Sequence, residues 1–455
     1  MKKLLVVLVC ILGLLATTFF GVYSYLSCDI ALPDVTDLTP ERVVVADEDN
    51  AYTYFEQAGR VCELPEDEES FFEVLNGERS DPQYIADLLA ENKQAMAALE
   101  RGLKCKVCQP PEIRNVSDLP DYYPGLLDLG RLLHLSTMQA RQAKQWDKAT
   151  VSCCDQLRFA SLVQNNPGSL IHALCGMHLL GWGLDETRKM AISPDVTEEQ
   201  LRKLSEALRY LESWDESFIR AMKAEYQLNA NTIDDMVSGK INLDSKQVKK
   251  GSSDESDRMP VGFLFQPNKT KKILADVFRN KIKNIPRSPA ERESMDIEQQ
   301  IEMELSAPTR FVSPNPLGKI FIALVVPAVE SANIANDRTK IELAATRLIV
   351  ACRWYEKDHG ELPPSLNALV PEYLDAVQRD PYDGKPIRYD RDRAIVYSIG
   401  KDLIDQGGSS KWPADSWEAS SGEEQKNPWP WEAEDAVYKI NSQPDKKQET
   451  TKEAK

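Results

Sequence analysis

Apolar residues recur along most of this chain at spacings of three and four, the period of a helix with one buried face. Ile85, Leu88, Leu89, Met96, Leu99 and Leu103 set such a stripe over 81–103. Leu129, Leu132, Leu133 and Met138 carry another over 126–144, and Ala149, Cys153, Leu157 and Ala160 a third over 146–162. Pro167-Gly168 then breaks the pattern. Ser169 stands where it caps a helix running through Leu170, Leu174, Met177 and Leu180. Thr197 and Gln200 have capping-box spacing ahead of Leu201, Leu204, Leu208 and Leu211. Residues 28–237 therefore predict an antiparallel array of helices joined by short loops. Residues 238–315 turn polar and rich in Ser, Lys, Asp and Pro. They predict a linker with helical pieces at 271–282 and 289–305.

Two stretches depart from amphipathicity. Leu4 to Leu26 carries no charge in 23 positions and follows Lys2-Lys3. Such a run is long enough to cross a bilayer, and its flanks put the N-terminus in the cytoplasm. We read 1–27 as an uncleaved signal-anchor. A cleaved signal peptide and a lipoprotein modified at Cys28 are the competing readings. The first lacks a small-residue cleavage site around Tyr23 to Ser27, and the second has Tyr25 where a lipobox prefers Leu. All three export the rest of the chain, so the expected location is the cell membrane, single-pass, with the bulk extracytoplasmic. The second stretch, Leu317 to Val329, has only ten uncharged residues from Ile320 to Val329 and contains Pro327. It is too short to span and reads as the buried start of a helix.

Composition narrows the function classes. The 455 residues carry 55 Lys+Arg against 72 Asp+Glu, a net charge of −17. A surface that acidic repels phosphate backbones, so no nucleic-acid partner is expected. Only four histidines occur. No P-loop, G-x-G-x-x-G or G-x-S-x-G is present. The nine cysteines include Cys105 and Cys108 at C-x-x-C spacing, but no second pair with that gap. A structural disulfide, free thiols and a redox or zinc half-site are all open there. His172, Cys175 and His178 lie at three-residue steps on one expected helix. The first and last diverge by about 120° around its axis, so packing is the plainer reading. Glu198-Glu199, Asp234-Asp235 and the acidic run over 63–69 read as solvated charge.

The region 316–412 holds the most specific pattern. Ile341, Ala344, Ala345, Leu348, Ala351, Cys352 and Tyr355 form a helical stripe, and Gly360 with Pro363-Pro364 should stop it near His359. Turn residues over 380–386 lead into strands at 387–389 and 394–399, a β-hairpin. Tyr355, Asp358, Gly360 and Pro363 fit a Y-x-x-D-x-G-x-x-P turn. Asp380, Pro381, Gly384, Pro386 and Tyr389 fit D-P-x-G-x-P-x-x-Y with one extra residue. Tyr397, Ser398, Gly400, Asp402, Gly407 and Gly408 fit Y-S-x-G-x-D-x-x-x-G-G, again with one extra. In this order the motifs resemble the soluble part of the type II secretion major pseudopilins, over roughly 90 of the 455 residues. The resemblance implies a small α+β pilin-like module of one long helix and a hairpin. It also implies calcium in the loop holding Asp402 and Asp405, with backbone oxygens or Asp415 completing the site. Gly318 is followed five residues later by Ala323 rather than Glu, so prepilin processing there is not expected.

The whole reads as mainly α: a membrane anchor, a helical array, then the α+β module, with 413–455 a largely disordered polar tail. The expected function is non-enzymatic, a membrane-anchored envelope protein with a protein-binding or structural role linked to secretion or pilus-like machinery. The alternative is an envelope enzyme with an unrecognised site in the helical domain.

Overall fold

The computed structural model describes residues 2–65, 69–114, 123–211, 214–240, 262, 264–292, 303, 314–411 and 433–441. The chain is mainly helical with one small antiparallel sheet. An apolar helix, α1 (Lys2–Ser27), comes first and leaves Leu14, Leu15, Phe19 and Phe20 exposed. At 1.5 Å per residue its 26 residues extend about 39 Å.

Four short helices follow: α2 (Ala51–Arg60), α3 (Glu69–Leu75), α4 (Pro82–Glu91) and α5 (Lys93–Leu103). The stripe expected as one helix over 81–103 is thus two. Asn92 makes the break. Its buried side chain donates to Glu63 O and Leu88 O and accepts from Glu63 N. A residue 29 positions away has taken the polar groups that a continuous helix would leave solvated.

Three longer helices and a shorter one form the centre: α6 (Tyr123–Gln142), α7 (Trp146–Asn165), α8 (Leu170–Ala191) and α9 (Glu198–Leu208). Turns of three to six residues join them; α6, α7 and α8 pack on one another, and α9 packs on α7. Both expected caps form. Ser169 Oγ accepts from His172 N at 3.2 Å, and Thr197 and Gln200 close a reciprocal capping box. Each such cap stabilises its helix by about 1 kcal/mol. Next come α10 (Trp214–Ser238) and α11 (Pro267–Asn284). Of the piece expected over 289–305, Pro289–Glu291 forms a 3-10 turn, and the rest, residues 292 and 303 apart, lies outside the described residues. So do 241–261 of the expected linker.

The longest element is α12 (Pro316–His359), 44 residues and about 66 Å long. It stops where the pattern requires, at Gly360, whose φ of 79° is left-handed and costs a glycine nothing. Its C-terminal half packs on α8 and α9, and its N-terminal part on α11. Expected as a buried start, 317–329 is buried on one face only. Ile322, Val326 and Val329 are inside, while Ile320 and Leu324 are 46% and 72% exposed. By length and composition alone α12 is apolar enough to cross a membrane, with 33% of the relevant window buried in the protein.

The sheet pairs β1 (Arg388–Asp390) with β2 (Ile395–Ser398) as the expected hairpin, with Tyr389 opposite Val396. A third strand, β3 (Ala436–Lys439), lies antiparallel on the other side of β2, with Val396 opposite Tyr438. Within 413–455, read as a largely disordered tail, this strand is a local correction: 433–441 are ordered, with Ala433, Asp435, Ala436, Tyr438 and Ile440 buried. The remainder of that tail, Asp415 included, lies outside the described residues. One buried cluster runs from Leu38 to Ile440 and crosses the expected boundaries at 237 and 315. Leu348, Ile349 and Cys352 on α12 belong to it and are fully buried, and α12 also packs on β2.

Candidate functional site

Three polar arrangements lie where the helical array meets the α+β unit. The first is a knot around Asp380, at the start of the turn that leads into β1. Its side chain is wholly buried. Oδ1 accepts from Tyr382 N at 3.0 Å and Ser398 Oγ at 2.8 Å. Oδ2 accepts from Ile399 N at 3.0 Å and Arg388 Nη1 at 2.8 Å. Burial raises its pKa, and these four donors pull against that rise. The D-P-x-G-x-P and Y-S-x-G motifs are therefore one physical unit, because a carboxylate from the first holds the backbone of the second.

Arg388 continues the knot. It pairs with Asp383 at 2.6 Å and reaches Asp405 at 3.4 Å. Its hydrogen bond and its charge hold the Asp383 carboxyl below the usual carboxylate range. A guanidinium thus sits among Asp380, Asp383 and Asp405, where the resemblance implied calcium nearby. The expected calcium residues are committed elsewhere too. Asp405 Oδ1 accepts from Gly407 N and Tyr397 Oη. Asp402 Oδ1 accepts from Ile404 N, and its Oδ2 from Gln406 Nε2. Calcium requires six to eight converging oxygens, and among the described residues no cluster of three or more His, Cys, Asp or Glu is placed to hold a metal. In this arrangement the Asp402 and Asp405 carboxylates are taken up by neighbouring donors. Millimolar Ca²⁺ should accordingly leave the melting temperature of the full chain unchanged. A rise that Asp402→Ala abolishes would show that the loop rearranges to take the ion.

Sequence reasoning missed the residue that shapes this loop. Asp435, just ahead of β3, accepts from Gly408 N at 2.8 Å and Ser409 N at 2.9 Å through Oδ2, and from Gln406 N through Oδ1. Gly400 lies close by with φ of 69°, and a Cβ there would meet Glu434 O at 2.9 Å. The available signal was the pair of glycines at 407–408, which mark amides turned toward a common acceptor.

The second arrangement is a buried joint. Arg188 on α8 donates to Glu342 on α12 at 2.5 Å and to Thr346 Oγ1 at 3.0 Å. Tyr438 on β3 donates to the other Glu342 oxygen at 3.3 Å, and its ring lies 5.5 Å from the guanidinium carbon. Burial depresses the Arg188 pKa, but Glu342, Tyr438 and Asp185 outweigh it, so the group stays cationic.

The third is a cleft of ≈ 450 Å³ between α10, the turn after α11, the middle of α12 and the 378–384 loop. Arg287, Lys340, Arg347 and Arg379 line it, with Asp215, Glu291 and Asp380 as its acids. Each acid is held internally. Asp215 pairs with Lys340 at 2.6 Å, Glu291 accepts from Ser288, and Asp380 is held in the knot. Arg347 Nη2 donates to Leu208 O and Arg379 Nη1 to Gly384 O. A guanidinium has five donors, and its planar fork matches a carboxylate. In a chain of net charge −17, this cleft is locally basic.

The remaining sequence candidates do not come together. His172 is buried against the Tyr123 ring, and desolvation pushes its pKa down to about 4. His178 stacks edge-on with Trp182. Eight of the nine cysteines are described, and all are free thiols, Cys105 and Cys108 among them. Burial pushes Cys62 and Cys154 up to about 12 and Cys175 up to about 11, which disfavours the nucleophilic thiolate. Asp155, raised to about 6 by burial and Glu100, sits on α7 and does not line the cleft.

No family model, curated protein or solved structure matches the chain.

Proposed function

We propose that this is a non-enzymatic, membrane-tethered envelope protein whose basic cleft takes an acidic segment of a protein partner. The observation that carries the reading is the convergence of Arg287, Arg347 and Arg379 on one cleft whose acids are all held internally. Fork-shaped cations on several elements favour a carboxylate-rich peptide over a point anion. The tether reading rests on α1, which carries no charge after Lys2-Lys3 at its start. The link to secretion or pilus-like machinery rests on the motifs that the Asp380 knot unites, which resemble pseudopilin heads.

The test uses the full chain in lipid nanodiscs and fluorescent peptides, one Asp/Glu-rich and one Lys-rich. The acidic peptide should bind, more weakly as salt rises. Joint reversal by Arg287→Glu and Arg379→Glu should weaken it by about tenfold or more, the effect of about 1.4 kcal/mol. Equal binding of both peptides, or no response to the reversal in a variant of unchanged melting temperature, would sink the idea.

A further inference from the structure

The start of α12 is apolar on both faces. Ile322, Val326 and Val329 are 1%, 5% and 1% exposed and join the core beside α11. Ile320 and Leu324 are 46% and 72% exposed, and Pro327 and Ala328 continue their line. These positions are spaced as one helical stripe. A helix apolar all round is normally covered all round, in a core or by lipid. Here, among the described residues, protein covers only half. Leu264, 49% exposed, extends the patch, since its carbonyl accepts from Leu317 N at 3.1 Å.

The stripe also sits beside the end of α1. Gln266 Nε2 donates to Leu26 O at 2.6 Å and to Cys28 O at 3.1 Å, the last carbonyls around the α1 terminus. The backbone N–H of the same residue donates to Asn315 Oδ1 at 2.8 Å, the position that precedes α12. Asp29, two residues past α1, caps α11 by accepting from Asn268 N and Lys269 N. One residue therefore joins the exit of α1 to the entry of α12. Ile320 lies about 6 Å along the axis from Pro316, so the exposed stripe begins within about one helical turn of the entry to α12. Lys269 on α11 and Lys319 on α12 add positive charge at this corner of an acidic chain, while Lys272 pairs with Asp276 at 2.7 Å.

We propose that the first three turns of α12, with Leu264, lie on the bilayer surface into which α1 inserts, the lysines facing anionic headgroups. The inference rests on the anchor reading of α1 and extends it: the protein does not hang on a free tether but is seated on the membrane. Apolar burial and lysine–headgroup attraction act together there.

The experiment places a photo-crosslinking benzoyl-phenylalanine at Leu324, at Ile320 and, as control, at Val151, which is 60% exposed on α7. Each full-length variant is reconstituted in vesicles of phosphatidylcholine with a minority of phosphatidylglycerol. Carbonate extraction is scored separately from crosslinking. Lipid adducts at 324 and 320, absent at 151, in a chain that resists extraction support the proposal. A chain that resists extraction without lipid adducts at 324 or 320 overturns it and leaves α1 an anchor. Crosslinks between two copies at 324 overturn it in favour of a self-association face. Release by carbonate overturns the anchor reading, and the proposal with it.

Discussion

A chain ending at Glu432 should lose most of its tertiary stability. The lost segment contributes Tyr438 and Ile440, 4% and 0% exposed, and the Asp435 clamp. Large-to-small changes at single buried sites of this size cost about 2–5 kcal/mol each. Removing both residues together with the ladder on β2 therefore approaches the 5–15 kcal/mol that holds a typical domain folded. The truncation also leaves Val396 without its partner Tyr438 on that side and turns the central strand β2 into a sheet edge. Limited proteolysis of the full-length and truncated chains checks this, with cleavage expected in 360–411 only after truncation. A truncated chain with the same protease-resistant core would show β3 to be dispensable. The point variant Asp435→Ala should act in the same direction by a smaller amount, since three backbone amides lose their acceptor.

Glu342→Ala should be the most damaging single substitution at the joint between the array and the sheet. It strips the main partner from a buried guanidinium, at a cost of about 3–5 kcal/mol when a buried pair is broken. Asp185 remains within 3.7 Å of Arg188 and is more exposed, so the lower part of that range is expected. The Tyr438 hydroxyl is stranded at the same time. Replacing both charges, as Glu342→Leu with Arg188→Met, should recover much of the loss, because the two desolvation penalties vanish together. Urea unfolding of the two single variants and the double variant closes the cycle. Additive losses would mean that the pair contributes no coupling.

How much of this was legible depends on the range of the interactions involved. The Ser169 and Thr197 caps bond within three residues, so their side chains announce them. The stop at Gly360 and the hairpin over 388–398 are likewise local, set by a left-handed glycine and by turn residues. The break at Asn92 was hidden because its cause, Glu63, belongs to another part of the chain. β3 was hidden for a stronger reason. Four residues in a charged tail carry no usable periodicity, and the segment is a strand because β2 offers it an edge. For Asp402 and Asp405 the residue types were right for calcium, but whether their oxygens converge depends on Arg388, Gln406 and Tyr397, which the fold brings to them.

By itself the sequence determined the helical character, the apolar N-terminal run, the ends of the central helices and the two paired strands, since periodicity, caps and turns act between neighbours. Only the tertiary structure decided that α12 belongs to both the array and the sheet, and that the tail supplies a strand. It alone drew four cations around one cleft and left the start of α12 covered on one side. Those outcomes turn on which distant surfaces compete to bury the same apolar area and to satisfy the same buried charges, as Glu342 shows by bonding Arg188, 154 residues away, and Tyr438, 96 residues away.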